Sequence, residues 1–371
     1  MPRLRSHRVA SARPGLAAVS LTTLGLMLAW PATIRAQDWL LLDGLADGEF
    51  WVTDSRSPLL TRDSGHPAAA GRLQLFLGLQ LASSFQILAV PELEGGRGGE
   101  GDDVEVTFDE LALRYVRSPK LVIDAGKFPT LVTAFAPRRL SNQNPLVGTP
   151  DGFPVMYPWG LQISGSGLRL DYRLALVSLP WTHEDYTPDP GFAVRPAVGV
   201  GVTPRTGLRL GASFTTGPYL SSDLRPDLPV GADWKDYTQR VFAFDARFSR
   251  GYFEGHAELA LSRYEVPTRG GSLEGSTYYG EIKYTWTPRF FTALRLERNR
   301  RVDIAPVSAG AWPAGTVAVS DGEIGLGYRI GVRTLLKVSY RRDHRQGPAG
   351  SAAALQLSQG FDLKSLLQAR Q

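Results

Sequence analysis

The chain has 371 residues, with 41 lysines and arginines against 36 aspartates and glutamates, 40 glycines and no cysteine. Without a thiol, disulfides and thiolate metal sites are excluded, so an exported fold would hold by hydrogen bonding and packing alone. The basic excess sits at the N-terminus: residues 1–36 carry five arginines and no acid and leave 36 charges of each sign behind them, so the charge balance does not point to nucleic acid.

Met1 to Ala36 reads as a cleaved secretory signal, because Arg3, Arg5, Arg8 and Arg13 lead into an apolar run from Leu16 to Trp30, then Pro31 and a small-residue site at Ala36. The run falls short of the roughly 20 apolar residues a spanning helix needs. Residues 37–371 show no linker-like break and are expected to form one domain. Strands are expected over 48–53, 72–81, 85–92, 109–117, 120–127, 159–165, 167–178, 194–203, 206–216, 240–249, 251–263, 277–287, 289–300, 318–330, 331–343 and 353–361, with a short tail over 362–371.

The clearest strand pattern runs from Leu168 to Leu176, where Leu168, Leu170, Tyr172, Leu174 and Leu176 alternate with Arg169, Asp171 and Arg173. Side chains two apart share a face of an extended strand, so one face is apolar and the other ionic. The same division recurs in Phe242/Phe244/Ala246/Phe248 against Asp245/Arg247, and in several later segments. Such a sheet places its two faces in different solvents. No segment after the signal approaches a spanning helix, so a membrane location requires a closed barrel, in which every backbone group is paired.

The connections alternate in length. Ser118-Pro119, Ser166, Pro204-Arg205, Arg250-Gly251, Pro288-Arg289 and Ile330-Gly331 are tight turns, while 54–71, 93–108, 128–158, 179–193, 217–239, 264–276 and 301–317 are long and polar. Short turns on one rim and long loops on the other are the plan of outer-membrane barrels. The expected fold is therefore all-β, a transmembrane antiparallel barrel of about sixteen strands with short periplasmic turns and long external loops. A soluble β-sandwich or jelly roll is the competing fold, and the strict short-long order counts against it.

With the signal, the amphipathic strands and the run Asp124-Ala-Gly-Lys-Phe-Pro129 opening a long loop, the chain resembles bacterial outer-membrane porins, in general appearance the phosphate-selective O and P type. The resemblance implies an outer-membrane location, export, contact with lipid and with the barrel-assembly machinery, and passage of small hydrophilic or anionic solutes. A homotrimer is open to such a barrel. The C-terminus departs from the pattern: such barrels end on an aromatic, whereas here Phe361 is followed by Asp-Leu-Lys-Ser-Leu-Leu-Gln-Ala-Arg-Gln.

A barrel of this size leaves a lumen too wide for side chains to fill. The strand pattern turns Arg169, Asp171, Arg173, Arg209, Asp245, Arg247, Glu254, Glu258, Glu281, Lys283, Arg295, Glu297, Glu323, Arg329, Arg333, Lys337 and Arg341 inward as pore-lining residues, ten basic to seven acidic. That ratio predicts a mild anion preference, with Arg329, Arg333, Lys337 and Arg341 as a basic ladder unless Glu281, Glu297 and Glu323 cancel it. The longest connection, 128–158, is the candidate constriction loop, carrying Arg138, Arg139, Asn142, Gln143, Asn144 and Asp151 between stiffening prolines.

Enzyme readings have little support. His256 shares a face with Glu254 and Glu258 but lacks a third ligand type, His183-Glu184-Asp185 has no marked nucleophile beside it, and no glycine-rich turn precedes a helix. No metal, cofactor or catalytic residue is expected. The reading is a passive diffusion channel; the alternative is a non-conducting structural or adhesive barrel.

Overall fold

The computed structural model describes residues 39–54, 67–97, 104–181, 193–267, 271–304, 314–345 and 349–363. The expected signal, His66, His183-Glu184-Asp185 and residues 364–371 of the tail lie outside them. The compact unit Trp39–Gln371 is a barrel.

Sixteen strands follow in chain order: β1 (Leu40–Thr53), β2 (Ala68–Ala82), β3 (Phe85–Arg97), β4 (Glu105–Ser118), β5 (Leu121–Lys127), β6 (Trp159–Ser166), β7 (Leu170–Val177), β8 (Arg195–Arg205), β9 (Leu208–Pro218), β10 (Thr238–Arg250), β11 (Phe253–Glu265), β12 (Ser272–Thr287), β13 (Phe290–Ile304), β14 (Ala314–Arg329), β15 (Thr334–Arg345) and β16 (Gly350–Asp362). Each pairs antiparallel with its neighbours in sequence, and β1 with β16 closes the ring. Closure leaves no unpaired edge. The tight turns all join an even strand to the next odd one, which gathers the long loops on the opposite rim.

Several strands extend beyond the expected limits. β1 begins at Leu40 and not at Gly48, because Leu40–Asp47 is paired with β2 on one side and, from Asp43 onward, with β16 on the other although its residues do not alternate. Tertiary pairing overrides the local pattern there. β7 is shorter than expected, and Gly167 to Arg169 form a turn closed by Gly167 N donating to Leu170 O at 2.7 Å. β16 ends one residue after Phe361, whose ring lies over Gly44 of β1, a position where a Cβ would meet it.

The weak alternation of β3 has a specific cause. Pro91 lacks an N–H and sits at a bulge, where Val90 pairs with Glu110 and Pro91 with Phe108, leaving Asp109 as the extra residue. A bulge re-aims side chains. Asp109 is buried inside the barrel while Phe108 stands outside.

The outward face is apolar: Leu174 and Leu176 of β7, Phe242 and Phe244 of β10, Ile282 of β12 and Tyr340 of β15 are all exposed. The inward face is largely polar, and its charged residues align across neighbouring strands, as in Glu258–Tyr279–Glu297–Asp321 and His256–Glu281–Arg295–Glu323–Arg341.

Candidate functional site

The 128–158 connection, bounded by Lys127 of β5 and Trp159 of β6, folds into the barrel. Phe128, Leu131, Val132, Phe135 and Phe153 pack with Ala175, Ala197, Val241, Ala243 and Tyr279 of the wall, forming an apolar core inside the ring. Phe135 and Phe153 meet the Tyr279 ring edge-on at 6.1 and 5.0 Å. Burial of these aromatic side chains holds the loop inside.

Polar wall groups fasten its backbone. Glu258 accepts from Ala134 N at 2.6 Å, Glu323 from Gly148 N at 2.9 Å, and Glu297 from Asp151 N and Gly152 N at 2.9 and 2.6 Å. Ser213 and Ser339 accept from Thr133 N and Val147 N at 3.2 and 3.0 Å. Thr133 adopts a φ of 71°, rare for a β-branched residue, at the point where the chain turns along the wall. The Lys337 ammonium spends its three donors on the carbonyls of Ser141, Asn144 and Leu146, at 2.9, 2.9 and 2.8 Å.

These contacts revise the expected wall. Glu258, Glu281, Arg295, Glu297, Glu323, Lys337 and Arg341 do face inward, yet the loop covers them and leaves them almost wholly buried. The basic ladder does not form: Arg333 lies in the turn after β14, within 4.0 Å of Asp362; Lys337 caps the loop; and Arg341 pairs with Asp321 at 2.9 Å. Arg169 likewise belongs to a turn, and Arg329 ends its strand exposed at the short-turn rim. For Lys337 and Arg341 the physical reason is the inserted loop, whose carbonyls need donors in a space closed to water; Arg169, Arg329 and Arg333 lie exposed at the short-turn rim.

A second group keeps contact with the open interior. Arg209 bridges Asp171 and Asp245, at 2.7 and 2.6 Å, and Lys283 pairs with Glu254 at 2.8 Å. Arg173 stands on the same face one strand pair away. Arg209, Arg247, Glu254 and His256 line a cavity of about 290 Å³ toward the short-turn end. Among the described residues no group of three His, Asp or Glu side chains is placed to hold a metal.

Of the loop residues singled out by sequence, Arg138 bonds Glu281 and the Tyr279 hydroxyl, and Arg139 bonds Glu92, Asp109 and the Tyr157 hydroxyl. Asn144 accepts from Arg295 at 2.8 Å and donates to Gly148 O at 2.8 Å. Asn142 and Gln143 are exposed, while Asp151 is half-buried. Burial pushes the Tyr157 hydroxyl above the ordinary phenol range, so it stays protonated beside Arg139.

The residues that sequence reasoning missed lie on β1 to β4. Asp47, Glu49, Glu92, Glu94, Glu105 and Asp109 join the interior with Arg72, and Gln74 donates to Glu92 and Asp109 at 2.6 and 3.1 Å. A cavity of about 540 Å³ at the long-loop end is lined by Glu92, Glu94, Glu105, Asp109, Lys127 and Arg139 on one side and Val155, Met156, Tyr157 and Trp159 on another. Non-local pairing across the Pro91 bulge brings these together, which period-two alternation cannot signal.

No protein-family model and no curated relative matches the chain. Solved structures do. A loop-deletion mutant of OmpT, an outer membrane protein of Vibrio cholerae, superposes with a TM-score of 0.60 at 10% identity, over 87% of this chain and 99% of that one. OmpF of Salmonella typhi, in complex with daunomycin, gives 0.60 at 12% identity over 87% and 97%. An anion-selective porin from Comamonas acidovorans gives 0.57 at 9% over 87% and 99%. The fold of this chain is that of these outer-membrane proteins: a closed antiparallel barrel, here of sixteen strands.

Proposed function

We propose that this chain is an outer-membrane, porin-like channel for passive diffusion of small hydrophilic solutes, exported by a cleaved signal over residues 1–36. The observation that carries the reading is the division of the barrel into an apolar outside and a charged inside with a loop folded between its walls. An apolar exterior of this kind suits acyl chains, and fixed charges beside a narrowed lumen filter solutes by size and charge. A trimer is the assembly we expect, by analogy with the trimer form solved for OmpT.

The charge preference is the finer point. A count limited to the well-patterned strands gives an anion tilt, but the interior carboxylates of β1 to β4 outweigh it, and the free ends of the interior basic residues are mostly tied to carboxylates or loop carbonyls. We therefore assign a weak cation preference. Lys127, from the run resembling phosphate-selective porins, shares its cavity with four carboxylates, which is poor chemistry for phosphate.

The extent to which the loop fills the lumen favours one second reading, a barrel that does not conduct. Planar-bilayer recording separates the two: discrete steps with a reversal potential on the cation side support the channel, and silence from folded protein supports the closed barrel.

A further inference from the structure

Arg138 and Arg139 are consecutive, yet their guanidinium groups reach opposite walls. Arg138 goes to Glu281 and Tyr279 of β12; Arg139 goes to Glu92 of β3 and Asp109 of β4. In the ring, β12 and β4 are eight strands apart, half the circumference. The loop therefore crosses the barrel and does not hug one wall.

The two ends of this brace differ. On the β12 side the loop is fastened by an apolar core and a row of backbone hydrogen bonds. On the β3–β4 side it is fastened by the Arg139 side chain, which also takes Tyr157 Oη at 2.6 Å. The cavity of about 540 Å³ is lined by Arg139, Tyr157, Glu92 and Asp109, with Glu94 and Glu105 also on its wall. Gln74 holds both carboxylates in place, and the bulge at Pro91 turns Asp109 toward them.

We propose that Arg139 is the latch and the selectivity-determining residue of a solute passage along β3 to β6. In place, it closes the inner end of that cavity and offsets part of the charge of Glu92 and Asp109. Withdrawn, it leaves a wider path whose wall carboxylates Glu92 and Asp109 have lost their shared guanidinium, which favours cations. The inference rests on the porin-like reading and adds the path and the residue that governs it.

The absence of cysteine makes the test direct, since Arg139→Cys introduces a single thiol. Wild type, Arg139→Cys, and Arg139→Cys labelled with aminoethyl methanethiosulfonate, which restores an ammonium, are recorded in planar bilayers. The cysteine variant is expected to conduct about twofold more than wild type and to shift its reversal potential toward cations, and labelling reverses both changes. Val230→Cys, fully exposed in the connection between β9 and β10 and away from the inserted loop, leaves both unchanged before and after labelling. Should Arg139→Cys not fold, as judged by heat-modifiable gel migration, the pair Glu92→Gln with Asp109→Asn loosens the latch from the other side and is expected to raise conductance without a cation shift. Conducting wild type with variants that match it overturns the latch alone; silence from wild type and every variant overturns the channel reading as well.

Discussion

Glu281 Oε2 accepts from both Nε and Nη2 of Arg295, at 3.0 and 2.6 Å, with each side chain 1% exposed. The pair sits in register on β12 and β13 beneath the inserted loop. A buried ion pair offsets its desolvation only when its remaining donors and acceptors are also satisfied. Here they are: Arg295 donates to Gly148 O and Asn144 Oδ1, each at 2.8 Å, and Arg138 takes the other oxygen of Glu281. The wall pair is thus a socket for the loop.

Removing one member should be severe. Arg295→Met leaves the Glu281 carboxylate partly uncompensated and takes one of two donors from each of two loop acceptors, Gly148 O and Asn144 Oδ1, with an expected loss of about 3–5 kcal/mol. Denaturant unfolding of the barrel in detergent measures it, and an unchanged midpoint contradicts the socket.

Lys337→Met keeps the side-chain length but strips three buried carbonyls of their donor. The expected cost is about 1–3 kcal/mol, localised to the loop. Trypsin provides the readout, because Arg138 and Arg139 are cleavage sites shielded only while the loop is seated. Faster cutting there, with the barrel intact on a gel, is the expected result; wild-type resistance argues that Lys337 is dispensable.

Gly152→Ala tests how closely the loop fits the wall. A Cβ at this position would overlap Thr277 Oγ1 and lie 2.8 Å from Thr277 Cβ, so the loop must back away from β12. Overpacking of this kind costs about 1–3 kcal/mol. Altered single-channel conductance, partly restored by adding Thr277→Ala, is the signature to look for.

The apolar exterior is tested by Phe244→Arg, which puts a charge on the outward face of β10. In lipid the expected penalty is about 2–4 kcal/mol near the bilayer midplane, seen as reduced folding into vesicles. Val230→Arg, at a fully exposed position in the connection between β9 and β10, should fold like wild type. Equal yields for the two would place the outer face of β10 in water.

Much of the architecture was legible in the sequence. The alternation in β7, β10, β11 and β12 gave the two faces, the tight turns gave the strand order, and the long connection was bounded at Phe128 and Pro158, where the loop begins and ends. The acidic wall was not legible. Asp109 reaches the interior through a bulge that Pro91 creates against a neighbouring strand, and β1 is held as a strand by its two partners although its first half does not alternate.

The sequence by itself determined which side chains share a face, because the strand period is a local property of the backbone. Only the tertiary structure decided which of those faces meet water and which meet the loop, because that depends on where residues far apart in the chain come together. Lys337 and Arg209 read alike as inward cations, yet one is sealed under loop carbonyls nearly two hundred positions away, and the other bridges two aspartates at the edge of an open cavity.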